Sequence, residues 1–599
     1  MDEKPKSIWK KSWTGPRAFL FWLLFVSAAA FLTALLIAVF TSVRTTLFDK
    51  HSGLENLVGY TLVVMFGFVV AVAVVFILFG VVRWLLCLRN VKRALFGLAC
   101  FATLIALFYA EENWRGKRAW ANYQHEWEAK GEKFDLKDFI PPAVPEEKNF
   151  ALTPVVSTCY SYILTRDGKR IPNEQRDTNL VNRLEFDLGD NNWSTNGTGY
   201  WAKGTMSNLK LWQEMYRDLA TKTNLFAVAP QPQSPAADVL LALSKYDVTV
   251  EELWQASQLP ESRFPLNYDT ECPAAILLPH LAALKKCARL LQLRSIAELQ
   301  AGQSEKALAD VTLALRLADS VRTEPFLISH LVRIAMLQIM LQPVWEGLAE
   351  RNWTDAQLVA LDAQLAKLDF VADNNFALRG ERGMDSGVIE YLRRAPNHLK
   401  DLASYDSGNE TSENKFWMRF EMIALAYGPS GWYDQSKLRI CQFYERWYLR
   451  VADEKEKVFI PSAVQGVDMA MNAEIKHWNP CRVLERMLLP ALGGMARKCA
   501  SAQISVDLAR VAIALERHRL AHGGFPESLD ALAPQFSAQV PHDVIGGQPL
   551  KYRRTSDGQF VLYSVGWNEK DDGGITGHRN GSTAPDFESG DWVWRYPAK

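Results

Sequence analysis

The chain has 599 residues, and its 67 Lys and Arg residues are balanced by 67 Asp and Glu residues, so the formal net charge is zero. A zero net charge removes the broad attraction to phosphates on which nucleic-acid-binding proteins depend, so nucleic acid is not expected as a partner. The length predicts about three to four folded units.

Three long uncharged runs within residues 1–111 predict a membrane domain with three transmembrane helices, at about residues 18–43, 56–82 and 94–110. A helix needs about 20 apolar residues to cross a hydrocarbon core of about 30 Å, so the third run is near the lower limit. A signal peptide is the alternative for the first run. That run exceeds the apolar region of a signal peptide, about 7 to 15 residues, and lacks a small-residue cleavage pattern, so we interpret it as a span.

The distribution of Lys and Arg around these runs predicts the orientation in the membrane. Basic residues are frequent before the first run and after the second, and sparse between the two: Lys4, Lys6, Lys10, Lys11 and Arg17; Arg83, Arg89, Lys92 and Arg93; Arg44 and Lys50. Because such residues collect on the cytoplasmic side, we expect a cytoplasmic N-terminus and an inner-membrane protein. Three crossings place the large C-terminal region in the periplasm of a bacterium, and the third run decides that placement.

Six cysteines beyond the membrane segments are scattered without any Cys-x-x-Cys pair: Cys159, Cys272, Cys287, Cys441, Cys481 and Cys499. In an oxidising compartment they could form disulfides, but the sequence does not select a pairing. The alternative is a set of lone buried thiols.

The fold class predicted after the membrane domain is mostly α. Residues 112–154 are typical of a stalk helix followed by a Pro-rich linker, because prolines at 141, 142 and 145 prevent regular helix. Residues 155–480 predict a mainly α-helical domain, which begins with short strands and loops up to about Gly204. Two capping-box patterns, Thr249 before Glu252 and Thr354 before Gln357, predict helix starts.

One stretch of this region, "AELQAGQSEKALADVTLALRLADS", resembles a tetratricopeptide helical hairpin. Gly302, Ala307, Val311 and Ala314 have the spacing of its small and apolar positions. No second or third copy follows, and a solenoid needs about three repeats to bury its faces. We therefore predict one hairpin within an irregular bundle, with a true repeat array as the alternative.

The sequence contains no P-loop, His-Glu-x-x-His, Gly-x-Ser-x-Gly or dinucleotide-binding motif, which lowers the expectation of an enzyme. His518 and His522 lie four residues apart near Glu516, a spacing that could hold zinc. They also lie near a predicted helix C-terminus, where solvated histidines complement the helix dipole.

Polar residues on apolar helices supply the remaining catalytic candidates. His330 and Arg333 interrupt the apolar stretch "PFLISHLVRIAMLQIMLQPVW", and Glu381 lies among basic residues in "RGERG". One interpretation is a buried ion-pair network between helices. The other is a polar pocket in which Glu381 or His330 acts as a general acid or base.

The C-terminal segment, residues 481–599, predicts a helix followed by a small antiparallel sheet. Asp557 and Gly558 separate two runs with strand propensity, a strong hairpin signal. The order of this helix, "GGFPESLDAL", "PHD", "GQPLKY" and "YSVG" resembles the globular part of the type II secretion major pseudopilin. That resemblance covers about the last hundred residues and implies a calcium site in the last loop; the pilin-type N-terminus is missing.

The residues that would form this calcium site are Asn568, Asp571, Asp572, Asp586 and Asp591. Calcium accepts several carboxylate and carbonyl oxygens, so these acids could compensate for the neutral Asn568, which stands where the pseudopilin offers an Asp. The alternatives are ordinary turn chemistry and a catalytic pair at Asp571 and Asp572.

From "FIPPAVPEEKNFALTP" through "SRFPLNYDTE" to the tail, the chain also resembles a group of large uncharacterised bacterial membrane proteins. The resemblance implies an architecture and no activity. We therefore expect a membrane-anchored extracytoplasmic scaffold or interaction protein, whose partners are the lipid bilayer and proteins of the cell envelope, with a link to secretion machinery. The alternative function is a membrane-anchored envelope hydrolase with a polar pocket among the helices.

Overall fold

The structure is a computed structural model that describes residues 88–160, 162–164, 170–172, 183–189, 197–399, 412–475, 479–489, 494–578 and 585–596. The first two predicted membrane spans, 18–43 and 56–82, lie outside the described residues. The described part is mostly helical, with a small strand-containing region near the C-terminus.

The described α-helices, connected in part by short 3-10 turns, are α1 (Leu88–Glu128), α2 (Pro154–Ser157), α3 (Leu209–Lys222), α4 (Pro235–Leu243), α5 (Asp247–Ser257), α6 (Pro279–Gln300), α7 (Ser304–Asp319), α8 (Leu327–Ala349), α9 (Asp355–Leu365), α10 (Phe370–Arg394), α11 (Ser412–Tyr427), α12 (Gly431–Arg446), α13 (Pro461–Ile475), α14 (Val483–Leu488) and α15 (Met495–His522). The strands are β1 (Tyr162–Leu164), β2 (Arg170–Pro172), β3 (Ala452–Asp453), β4 (Val458–Phe459), β5 (Lys551–Arg554), β6 (Phe560–Ser564), β7 (Thr576–His578), β8 (Pro585–Gly590) and β9 (Trp592–Trp594).

The chain divides into two compact units, residues 1–111 and 112–599. In the first unit, the third predicted span, 94–110, belongs to α1, and its apolar side chains are exposed. Among the described helices, α1 and α8 are long and apolar enough to cross a membrane. In α8, 67% of the most apolar stretch is buried, which is typical of a core helix. In α1, 0% of the most apolar stretch is buried.

In the second unit, the larger of two hydrophobic clusters among the described residues extends from Phe150 to Trp594, and the smaller joins Tyr123, Phe134 and Cys441. The larger cluster therefore runs across the boundaries predicted near residues 154 and 480. The C-terminal end of the expected Pro-rich linker belongs to this larger cluster: the linker forms short 3-10 turns, and Phe150 and Ala151 at its end are fully buried. The expected stalk continues α1 without a break to Glu128.

Helices α6 and α7 form the predicted hairpin. They are joined by a three-residue connection in which Gly302 adopts a positive φ of 72°, a conformation that glycine reaches without steric cost. Helix α8 packs against both helices of the hairpin. The hairpin is therefore built into the bundle.

The two capping-box predictions have different outcomes. At Thr354, the side chain accepts from the backbone N–H of Gln357, and the Gln357 side chain accepts from the backbone N–H of Thr354, so α9 begins as predicted. At Thr249 the prediction is wrong, because α5 already begins at Asp247. Preceding 3-10 structure at Ser244–Tyr246 leads directly into α5 and leaves no separate cap.

The C-terminal region contains a three-stranded antiparallel sheet in the order β5-β6-β9, and a separate β7-β8 pair. The predicted Asp557-Gly558 turn joins β5 to β6, with Leu562 opposite Tyr552 on one side and Trp594 on the other. Helix α15 contacts both β6 and β9. Among the described residues every cysteine is free, and Cys287, Cys441, Cys481 and Cys499 are buried.

Candidate functional site

His330 and Arg333, two of the sequence-predicted polar residues, lie buried in the bundle on α8. The Nε2 atom of His330 is 3.0 Å from the carbonyl oxygen of Glu324, and burial lowers the pKa of His330 to about 3, so its ring is neutral. Arg333 forms ion pairs with Asp373 on α10 and with Asp319 at the end of α7. These contacts link α7, α8 and α10.

Glu381 is partly buried on α10, and its Oε2 atom accepts a hydrogen bond of 3.2 Å from the backbone N–H of Leu327. This places a carboxylate at the start of α8, where the helix dipole favours negative charge. Burial raises the pKa of Glu381 to about 7. One helical turn further on, Asp385 accepts a hydrogen bond of 2.9 Å from the hydroxyl of Tyr444, and burial together with Glu381 raises the pKa of Asp385 well above its ordinary value.

Arg382, between these two acids on α10, is fully buried and points to other partners. It pairs with Glu132 at 2.6 Å and with Glu445 on α12, and it donates to the carbonyl of Lys133 at 2.7 Å. The guanidinium also lies 4.6 Å from the ring centre of Phe134. The structure thus shows ion pairs between helices in this region.

The two histidines considered for zinc lie at the C-terminus of α15. The Nδ1 atom of His518 is 2.9 Å from the carbonyl oxygen of Gly524, and the Nδ1 atom of His522 is 3.2 Å from the carbonyl oxygen of His518. Glu516 instead pairs with Arg519 at 2.6 Å. Each residue therefore has a local partner of its own.

The acidic C-terminal loop is organised by hydrogen bonds to its own carboxylates. Asp591 is fully buried and accepts from the backbone N–H groups of Asp572 at 3.2 Å and Gly574 at 2.6 Å. Asp571 accepts from the hydroxyl of Tyr563 and the N–H of Gly573, both at 3.0 Å.

The remaining candidate calcium ligands are held in the same way. Asn568 donates to Asp572 at 2.9 Å, and Asp586 accepts from the hydroxyl of Ser589 at 2.8 Å. Across the described residues there is no group of three or more His, Cys, Asp or Glu side chains that could hold a metal ion. The calcium site stays a prediction.

The structure brings together a further set of residues, in a cleft of about 670 Å³ between α5 and the α6–α7 hairpin. Arg294 of α6 lies in this cleft and contacts three carboxylates: Asp310 of α7 at 2.8 Å, Asp247 at the start of α5 at 3.0 Å, and Glu298 at 3.6 Å. Trp254, 43% exposed, also lines the cleft. The cleft therefore combines an aromatic surface with a charged wall.

Glu298 is the least satisfied group of this cleft. Its side chain is 3% exposed, and its Oε2 atom has no hydrogen-bond partner. Burial, with a contribution from Asp310, raises the pKa of Glu298 to about 8, and burial raises the pKa of Asp310 to about 6 although Arg294 opposes this. A carboxylate buried without a full set of partners is costly and would gain from a cationic or hydrogen-donating ligand.

Sequence reasoning missed this cleft. The available signal was Arg294 and Glu298, four residues apart on one helix face, followed by Asp310 in the otherwise apolar "ALADVTLAL". That signal says nothing about Asp247, 47 residues before Arg294, which only the packing of α5 against the hairpin brings close.

Comparisons with protein-family models, with curated proteins and with solved structures find no match for this chain.

Proposed function

We propose that this protein is a membrane-anchored scaffold whose helical region holds a basic segment of a partner protein in the cleft between α5 and the α6–α7 hairpin. The observation that carries the proposal is the buried Oε2 atom of Glu298, which lines an open cleft and has no hydrogen-bond partner. A lysine side chain entering the cleft would supply the missing donors.

The charge of the cleft supports a basic partner. Four carboxylates line it, those of Asp247, Glu251, Glu298 and Asp310, against the two cations Arg294 and Lys306. Glu298 is mostly protonated at neutral pH because its pKa is raised to about 8, but the other three carboxylates still outnumber the two cations, so a net negative charge is left for an incoming cation. The indole of Trp254 offers a face for a lysine ammonium or for apolar contact.

The anchor in this proposal is the apolar part of α1, supported by its exposed apolar side chains and by the two uncharged runs that precede it in the sequence. A periplasmic location of the large region follows if all three runs span the membrane. A link to secretion machinery is supported by the resemblance of the tail to a pseudopilin, and by the succession of a long helix, α15, and antiparallel strands.

Binding of short labelled peptides to the full-length protein in detergent tests the proposal. We expect a fluorescent nonapeptide of alternating Lys and Ala to bind, and a nonapeptide of alternating Glu and Ala not to bind, in a fluorescence anisotropy titration. Glu298→Gln should weaken binding at least fivefold, whereas Asp530→Asn, which changes an exposed acid outside the cleft, should not.

Salt separates a specific site from a general attraction. Exposed charges are screened within about 10 Å at 0.1 M salt, while a buried carboxylate is screened much less. At that salt concentration the difference between wild type and Glu298→Gln should therefore persist. The proposal would be contradicted if Glu298→Gln and Asp530→Asn bound the Lys peptide with equal affinity. It would also be contradicted if the wild-type protein bound the Lys peptide and the Glu peptide with equal affinity.

A further inference from the structure

An exposed apolar face lies on α11, a helix of the second unit. Phe420, Ile423 and Tyr427 are 49%, 55% and 77% exposed. Their spacing of three and four residues places them on one side of the helix. Glu421, Met422 and Leu425 are buried on the other side. Between Phe420 and Tyr427 the exposed side of α11 is thus apolar, whereas a surface helix of a soluble protein normally turns polar residues to water.

The first residues of the second unit contact α12, the helix that follows α11. The apolar run of α1 ends at Ala110, and two residues later Glu112 accepts hydrogen bonds of 3.0 Å from the side chains of Trp432 and Gln435 on α12. Asn113 accepts from the backbone N–H of Gly431 at 2.8 Å. The start of α12 therefore lies against Glu112 and Asn113, the first two residues of the second unit.

Tyr427 is only four residues before Gly431 in the chain. Four residues span at most about 14 Å, so the end of α11 lies within that distance of the start of α12. The polar headgroup layer on each side of a bilayer is roughly 5–8 Å thick. If α1 crosses the membrane as the proposed function requires, the exposed face of α11 is within reach of the headgroup layer.

The residues of α1 that follow its apolar run have the composition of a membrane–water boundary. Trp114 is 60% exposed, and the guanidinium of Arg118 lies 5.2 Å from the centre of its ring. Arg115 and Lys117 are also exposed. Tryptophan is enriched at such boundaries, and basic side chains near them are attracted to anionic lipid headgroups.

We infer that the face formed by Phe420, Ile423 and Tyr427 is a second membrane contact, with α11 lying on the bilayer beside the point where α1 enters it. An interfacial helix buries its apolar side about 5–10 Å into the boundary between headgroups and acyl chains. Two contacts, one spanning and one lying on the surface, would fix the orientation of the helical unit relative to the membrane. This inference rests on the proposed anchoring by α1.

Fluorescent labelling of single cysteines in full-length protein reconstituted into phosphatidylcholine–phosphatidylglycerol vesicles tests the inference. The environment-sensitive probe NBD would be attached to Tyr427→Cys, Leu104→Cys or Val248→Cys in a background in which Cys87, Cys100, Cys159 and Cys272 are replaced by Ser, because the other four cysteines are buried. Leu104 lies in the apolar run of α1, and Val248, 69% exposed, lies on α5. We expect a blue-shifted emission and quenching by nitroxide-labelled lipids at positions 427 and 104, and neither effect at position 248.

The two control positions separate the possible failures. Quenching at 104 together with a water-like signal at 427 would overturn the second contact and leave the anchor standing. A water-like signal at both positions would overturn the anchor and the inference together. Quenching at 427 but also at 248 would indicate nonspecific adsorption and would likewise overturn the inference.

Discussion

Gly116 of α1 and Gly431 of α12 lie in direct backbone contact. A Cβ atom placed on Gly116 would lie 2.2 Å from the carbonyl oxygen of Gly431, and one placed on Gly431 would lie 2.3 Å from the carbonyl oxygen of Glu112. No side chain fits between the two helices at this point. We expect Gly116→Ala to force the helices apart and to lower the free energy of unfolding by about 1–3 kcal/mol.

Gly97→Ala is the matched control on the same helix. A Cβ at Gly97 meets nothing within 4 Å, and alanine favours helix over glycine by about 1 kcal/mol. This substitution should therefore be neutral or stabilising. Thermal unfolding of both variants in detergent measures the difference, and equal stability of Gly116→Ala and wild type would contradict the close approach of α1 and α12.

The acids Glu381 and Asp385 should make stability depend on pH. Burial raises the pKa of Glu381 to about 7 from an ordinary value of 4.5, and it raises the pKa of Asp385 well above 3.8. Because the folded state holds these protons more tightly than the unfolded state, their stabilising effect is complete below the unfolded pKa values. The stabilising effect is lost as the pH rises through the pKa values of the folded state. Asp385→Asn has no proton to lose at this position, so this variant should lose less stability than wild type between pH 5 and pH 8.

Glu390 on the same helix provides a control of opposite sign. Burial alone would raise the pKa of Glu390, but Lys437 and Arg393 lower it below its ordinary value. Glu390→Gln should therefore cost stability at pH 8 and much less near pH 4. Denaturant unfolding at a series of pH values gives both profiles, and parallel profiles for Asp385→Asn and wild type would refute the role of Asp385.

The capping box of α9 predicts a local loss of stability. Thr354→Ala removes the side-chain oxygen that accepts from the N–H of Gln357 and should lower the free energy of unfolding by about 1 kcal/mol. Thr249→Ala is the control, because Thr249 lies within α5 and caps nothing there. Alanine has the higher helix propensity, so this variant should be neutral or slightly stabilised. Equal losses in the two variants would mean that the cap contributes nothing.

In the C-terminal loop, Asp591 should matter more than Asp572. Asp591 is fully buried and accepts from two backbone N–H groups, of Asp572 and Gly574, which its removal would leave unsatisfied. We expect Asp591→Ala to lower the melting temperature clearly more than Asp572→Ala, as measured by differential scanning calorimetry.

The same calorimetric measurement tests the calcium hypothesis. Binding to the folded state stabilises it by about 2.7 kcal/mol at a hundredfold excess of ligand over Kd. A melting temperature several degrees higher in calcium than in chelator, abolished by Asp571→Ala with Asp572→Ala, would support a calcium site. Equal melting temperatures would leave the loop as a hydrogen-bonded turn.

Reporter fusions test the orientation in the membrane. A reporter that is active only outside the cytoplasm should work when it is fused after Glu147 and fail when it is fused after Arg93, because of the distribution of Lys and Arg around the first two runs. An inactive fusion after Glu147 would show that residues 94–110 do not cross the membrane.

Local patterns in the sequence were sufficient for elements whose partners lie a few residues away. The Asp557-Gly558 hairpin, the cap at Thr354 and the α6–α7 hairpin follow from turn chemistry and helical periodicity, which act over short stretches of chain. The apolar part of α1 was also predictable from the sequence, because an uncharged run of that length is typical of a membrane-spanning helix.

Tertiary structure decided everything that depends on residues far apart in the chain. Thr249 has the same pattern as Thr354, yet it lies inside a helix because the preceding turn at Ser244–Tyr246 runs into α5. Only helix packing brings Asp247 and Asp310 into ion pairs with Arg294, and only helix packing brings the backbone of Gly431 against Gly116. Such packing depends on the whole buried surface of the bundle, which no short pattern of residues encodes.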